Sequence, residues 1–265
     1  MPQPSALIAR AGVVPVLREA SLRSEQVTQL VLGETAQVLE ALGDWRRIRI
    51  DDDNYEGWAH LGYLVETTVS AAEAWRERAG GWSDGAVVQV GRTLARLPLR
   101  ARVELVGDTV VLPDGRRGRL MVGRVLSRRE SVRSARRQPL ARWVLSMFAG
   151  APYQWGGVTP WGVDCSGLVQ TAFAARGAML PRDASQQASL GSPVSPDAVR
   201  TGDLLFFGEE DDRVTHVALA GEDETLVHST LSCGGVVQEP WAPGTRAAHL
   251  RARLLGVRRL EAEAG

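Results

Sequence analysis

Short apolar runs separated by turn residues fill the first 130 or so positions of the chain. Segments 13–17, 27–32, 37–42, 45–50 and 57–64 are rich in Val, Leu and Ile, with Gly- and Asp-containing breaks between them. Runs of this length bounded by such residues predict strands. A second series follows at 86–90, 102–106, 109–112 and 119–122, with Pro113, Asp114 and Gly115 forming a turn. Helical spacing over 71–78 separates the two series, so the pattern predicts two small β-barrels rather than one sandwich. Residues 124–137 are Arg- and Ser-rich and read as a solvated linker.

Beyond the linker the period changes. Pro139 opens a helix over 140–148 that Gly150 stops. A second helix runs from Cys165 to about Ala175 and ends at Gly177, and a third covers 184–190. Strands are expected at 203–207, 214–220, 225–229 and 254–259. Helices first and strands afterwards predict an α+β domain with an antiparallel sheet. The expected division is residues 1–70 and 71–130 for the two barrels and 131–265 for the α+β domain.

Composition narrows the functions available. A hydrophobic share of 44% is ordinary for a soluble globular protein. The 31 basic residues, all of them Arg, balance 31 acidic ones, so net charge directs the chain to neither nucleic acid nor membrane. The apolar stretch over 6–17 is broken by Arg10 and Pro15 and lacks the pattern of a secretion signal, and no segment reaches the length of a membrane span. A cytoplasmic location is expected. Two cysteines, Cys165 and Cys233, are too few for a disulfide framework, and Cys165 reads as a free thiol.

Asp164-Cys165-Ser166-Gly167, followed by Leu168, Val169 and Phe173, puts that thiol where a helix begins, with Asp164 as its N-cap. Free N–H groups and the positive end of the helix dipole favour a thiolate there, although the Asp164 charge opposes it. His216 and His228 both lie in strand-like sequence. With a three-residue loop at 221–223 they face each other across a hairpin, β-carbons about 5 Å apart. Ala218 and Leu226 share that face, which a helix carrying Cys165 can cover. A nucleophile, a base and a group that orients the base are then together. No finger-type or metalloprotease spacing is present, so neither a metal nor another cofactor is expected. Cys233, His60 and His249 have no partner in the sequence.

Tyr153-Gln154-Trp155-Gly156-Gly157, Asp164-Cys165-Ser166-Gly167-Leu168-Val169, Leu180-Pro181-Arg182-Asp183, Gly202-Asp203-Leu204-Leu205-Phe206-Phe207 and His216-Val217 occur in that order. Together they closely resemble the NlpC-type family of papain-like murein peptidases. Ser24 to Gln29, Gly33-Glu34, Asp44-Trp45 and Tyr55-Glu56-Gly57-Trp58 resemble the first of two bacterial SH3-like domains in the subgroup that recycles cell-wall peptides. The resemblance implies Cys165 as nucleophile, His216 as base and then acid, and His228 as the residue that orients it. It implies that Tyr153 and the Cys165 N–H bind the oxyanion. It places Asp164 on the peptide's amino end, with Ser166 and Arg182 on the same ligand, Arg182 pairing with a carboxylate. Tyr55 would wall the site and Glu25 (or Glu19) would receive the amine. Some relatives carry a serine where this chain has Ala184, which removes one polar contact from that implied set.

The implied activity is a γ-D-glutamyl-L-diamino acid endopeptidase acting on murein peptides with a free N-terminal L-Ala. Two rivals keep the same residues: an exported wall hydrolase using its SH3-like domains as anchors, and an inactive peptide-binding module. The diamino acid and the oligomeric state are not encoded legibly.

Overall fold

A computed structural model of the chain describes residues 5–208 and 213–260. The polypeptide forms two units, Met1–Ser131 and Val132–Gly265.

The first unit holds two seven-stranded antiparallel sheets. Five expected strands of the first barrel appear, with 57–64 divided into strands Glu56–His60 and Leu64–Thr67 by a 3-10 turn, Leu61–Tyr63. His60 makes that turn by accepting the Gly62 N–H on Nδ1 at 3.1 Å. Ala6–Ala9 is an additional strand, paired on both sides. Leu7, Val14, Val16, Leu30 and Ile48 fill the barrel without measurable exposure. The second sheet gains Gly81–Asp84, Thr93–Arg96 and Val125–Ser127, none of which the alternation announces.

Helix Val69–Arg78 joins the two sheets, and Trp75 Nε1 donates to Gly33 O at 2.9 Å. Beside it, Glu34 accepts the Val31 N–H and a guanidinium N–H of Arg100, each at 2.9 Å, while Arg102 pairs with Asp52. Burial drives the Glu34 carboxyl above its ordinary range, against the pull of Arg100.

The expected linker at 124–137 is instead a strand end followed by helix Arg128–Arg136. The reason is a capping box. Ser127 Oγ accepts the Glu130 N–H at 3.2 Å, and the Glu130 carboxylate accepts the Ser127 N–H at 3.1 Å.

The second unit is the α+β domain. Helix Leu140–Phe148 ends at Gly150, which sits at φ +74°. A short hairpin, Val158–Thr159 with Gly162–Val163, leads into helix Cys165–Ala174. The six-stranded antiparallel sheet runs Ser192–Val194, Leu254–Arg259, Leu204–Gly208, Val214–Ala220, Thr225–Thr230, Gly235–Pro240. The first and last of these strands are absent from the sequence reading, and helix 184–190 contracts to Ala184–Gln187.

Two expectations about the histidine hairpin are corrected. Its loop lies one residue later than read, because Asp223 and Glu224 take left-handed φ values of 51° and 52° while Gly221 stays in the ladder, donating its N–H to Thr225 O at 2.8 Å. The register therefore pairs Leu219 with Val227 and Ala220 with Leu226, so His216 and His228 are diagonal rather than opposite. The parity is unchanged and both rings remain on one face. That face is covered by the 3-10 segment Arg246–Arg253 through Ala247 and Leu250, not by the Cys165 helix. The helix side is the reverse face: Ser229, of opposite parity to His228, donates its hydroxyl to Val163 O at 2.6 Å, two residues before Cys165. Among the described residues, no helix is long and apolar enough to cross a membrane.

Candidate active site

Asp164 caps the Cys165 helix, accepting the Gly167 N–H on Oδ1 at 2.7 Å. The same oxygen accepts the Ser166 hydroxyl at 3.2 Å, and Oδ2 accepts the Gly156 N–H at 2.8 Å and an Arg182 N–H at 2.5 Å. Arg182 also donates to Ser166 Oγ at 2.7 Å. These three residues are 5%, 7% and 2% exposed, so they form one buried cluster holding the start of the helix. Gly167 allows the close approach: a Cβ there would lie 2.0 Å from Gly157 O. Gly156 presents its N–H from φ +74°.

Cys165 is buried and reduced, while Cys233 is exposed. The sulfur receives hydrogen bonds from the Val217 and Ser166 backbone N–H groups, so it rests against the strand beside His216. The ladder between the His216 and His228 strands stops at Leu219–Val227. Burial, then the Asp164 charge, pushes the thiol up to about 11, against the two N–H groups and Arg182. The sequence favours a thiolate here; in the folded site burial outweighs the helix start.

His216 Nε2 lies 2.7 Å from His228 Nδ1, with ring centroids 5.0 Å apart. Burial, reinforced by His228, drives His216 down to about 3. His228 is 2% exposed and also shifted down by burial, with Glu239 pulling the other way. The resting pair is a neutral thiol and a neutral imidazole. Tyr153 is half-buried, held by its N–H to Gly234 O at 2.8 Å, and its phenol is raised to about 12, first by burial and next by Cys165 and Asp164. It therefore stays protonated at neutral pH, a hydroxyl donor within the electrostatic reach of the sulfur.

Tyr55 and Glu25 belong to the first unit. Tyr55 packs against the first barrel's core, and Glu25 accepts Arg18 Nε at 2.8 Å. Two residues that the sequence did not signal lie behind the imidazoles. Glu239 Oε1 is 2.7 Å from His228 Nε2, and Arg246 grips both carboxylate oxygens, Nε to Oε2 at 2.9 Å. Among the described residues, no group of three or more His, Cys, Asp or Glu side chains is arranged to hold a metal ion.

Residues 150–255 match the NlpC/P60 family and residues 12–65 match the bacterial SH3 domain. The chain is 29% identical over 220 residues to the γ-D-glutamyl-L-lysine dipeptidyl-peptidase of Bacillus subtilis (strain 168), covering 76% of this chain and 71% of that protein. It is 26% identical over 223 residues to the protein of the same name from Bacillus cereus (strain ATCC 10987 / NRS 248), covering 76% and 66%. The crystal structure of an NlpC/P60 family protein from Bacillus cereus ATCC 10987 superposes with a TM-score of 0.81 at 20% identity, over 96% of this chain and 99% of that one, and so shares the fold. The second unit is a papain-like cysteine-peptidase domain, and the chain is a hydrolase. Residues 150–255 are an NlpC/P60 domain, and a bacterial SH3 domain over residues 12–65 precedes it.

Proposed function

We propose that this peptidoglycan-related endopeptidase hydrolyses the γ-D-glutamyl–L-diamino acid bond of murein peptides that carry a free N-terminal L-Ala, in the cytoplasm, during recycling of cell-wall peptides. The observation that carries the substrate class is the extent of the similarity to two γ-D-glutamyl-L-lysine dipeptidyl-peptidases. It runs over 220 residues or more, well beyond the peptidase domain alone. A dipeptidyl-peptidase measures its cut from an amino terminus, which fits a requirement for the free amine.

In this reading His216 takes the thiol proton as the sulfur attacks the γ-glutamyl carbonyl carbon, because both groups rest neutral and no thiolate waits beforehand. Tyr153 and the Cys165 N–H donate to the oxyanion. The imidazolium, steadied by His228, passes its proton to the leaving amine, and a thioester remains. Water then attacks with His216 again as base, releasing the carboxylate and restoring the thiol. Asp164, Ser166 and Arg182 would meet the peptide from within the cluster they already form, so a substrate carboxylate would share Arg182 with Asp164. The roles of Tyr55 and Glu25 rest on the resemblance of the first SH3-like domain.

The test is turnover of L-Ala-γ-D-Glu-L-diamino acid peptides against their N-acetylated forms, followed by liquid chromatography. The free peptides are expected to be cleaved between Glu and the diamino acid, the acetylated ones at least about tenfold more slowly, and Cys165→Ala is expected to cleave neither. Equal rates on both peptides would refute the amine requirement.

A further inference from the structure

We propose that Glu239 is a positioning residue that sets the tautomers of both imidazoles, so that His216 presents a proton-accepting nitrogen to the thiol. The inference rests on the cysteine-peptidase reading above but concerns a residue outside its motifs. Glu239 stands on strand Gly235–Pro240 opposite Leu226, and therefore diagonal to His228 on the shared face.

The argument follows the hydrogen bonds from the carboxylate inward. An ionised carboxylate only accepts. Arg246 donates to both of its oxygens and is itself tied to Ser232 Oγ at 2.7 Å, which holds the carboxylate in place with both oxygens accepting. His228 Nε2, 2.7 Å away, must then carry the hydrogen. In a neutral ring the other nitrogen is bare, so His228 Nδ1 accepts, and His216 Nε2 at 2.7 Å must be the donor. His216 Nδ1 is left with a lone pair, and only that form can take the proton from Cys165. Without an acceptor-only group at the far end, the two bonds can also run in reverse. His216 would then hold its hydrogen on Nδ1 and cease to be a base toward the thiol. The same carboxylate opposes the positive charge that His216 acquires during attack.

Two other histidines supply internal references. His249 Nδ1 lies 2.9 Å from Arg246 O and must donate, whereas His60 Nδ1 accepts the Gly62 N–H. Their tautomers are opposite.

The experiment is long-range ¹H–¹⁵N correlation on the full chain labelled at histidine, with His60→Gln and His249→Gln variants for assignment. Turnover of the free L-Ala-γ-D-Glu-L-diamino acid peptide is measured in parallel. In wild type, His216 and His228 are expected as Nε2–H tautomers, like His60 and unlike His249. Glu239→Gln, whose amide can accept or donate, is expected to lose that single pattern and to lower kcat by roughly a hundredfold, with KM within about twofold. Glu239→Asp is expected to recover part of kcat. Wild-type His228 carrying hydrogen on Nδ1 would overturn the proposal, as would Glu239→Gln with wild-type kcat. The wild-type spectrum requires no variant to fold. It also decides the tautomer even if the peptide is not cleaved, a result that would defeat the peptidase reading instead.

Discussion

Two carboxylate–arginine pairs bracket the proposed chemistry, one at the thiol end and one at the imidazole end, and they differ in what else they hold. Asp164 meets two backbone N–H groups, a hydroxyl and Arg182, all of them fixed donors, and the pair is 5% and 2% exposed. Glu239 meets Arg246 and one titratable ring, and the Arg246 side chain is 42% exposed. The first pair is closed: Oδ1 of Asp164 serves the start of the helix, while Oδ2 holds the Gly156 N–H and Arg182, which offsets its charge. The second leaves a carboxylate free to act on an imidazole. Burial turns one kind of ion pair into scaffold, and partial exposure makes the other adjustable.

The sharpest way to break this contrast is at the closed pair. Arg182→Met strands the Asp164 charge in a buried site and is expected to cost about 3–5 kcal/mol of folding stability, read from urea unfolding. Adding Asp164→Asn is expected to recover most of the loss, because asparagine still caps the helix and carries no charge. If Arg182→Met costs less than about 1 kcal/mol, Asp164 is not held as a buried ion and the distinction between the pairs fails.

The same contrast separates what the sequence made legible from what it hid. The Asp164 cap, the helix it starts and the apolar run that ends strand Val214–Ala220 are local signals, carried by residues that touch within one turn or one strand. Those elements form where the pattern places them. Strand Gly235–Pro240 has no such signal: it opens on glycine, closes on Gln, Glu and Pro, and is half exposed along most of its length. With the strand missed, Glu239 had no place in the site. The hairpin slip has a similar origin, since glycine is the usual guess for a turn, yet Asp223 and Glu224 take the left-handed positions. In the Arg-rich stretch, charge masked a capping box whose Ser127 and Glu130 spacing was in plain view.

Electrostatics at the thiol end give the next test. With burial and Asp164 holding Cys165 up near 11, thiolate is scarce at neutral pH. In a Cys233→Ser background, which removes the exposed thiol, the iodoacetamide rate is expected to rise about tenfold per pH unit from pH 6 to 9. A flat rate across that range would mean a preformed thiolate–imidazolium pair. The imidazole end adds a stability signature. His216 stays neutral down to about 3, whereas an unfolded histidine protonates near 6.5. Its folded value is the lower one, so its contribution is whole above pH 6.5 and is lost as pH falls toward 3.

The smallest expected effect belongs to the open pair. Arg246→Met leaves Glu239 beside His228 with its 2.7 Å bond intact and, at the rim, without its arginine. Because the Arg246 side chain is 42% exposed, water can replace it, and the stability change is expected to stay under about 1 kcal/mol. Its charge also lowers the His228 pKa, so its removal should raise that value and let Glu239 pull harder on the ring. Turnover of the free-amine peptide should therefore fall by no more than about threefold, while the Nε2–H tautomers persist. If Arg246→Met matched Glu239→Gln in both kcat and spectrum, the arginine rather than the carboxylate would be setting the ring nitrogens. The two pairs would then be alike after all, each depending on its arginine to hold the acid in place.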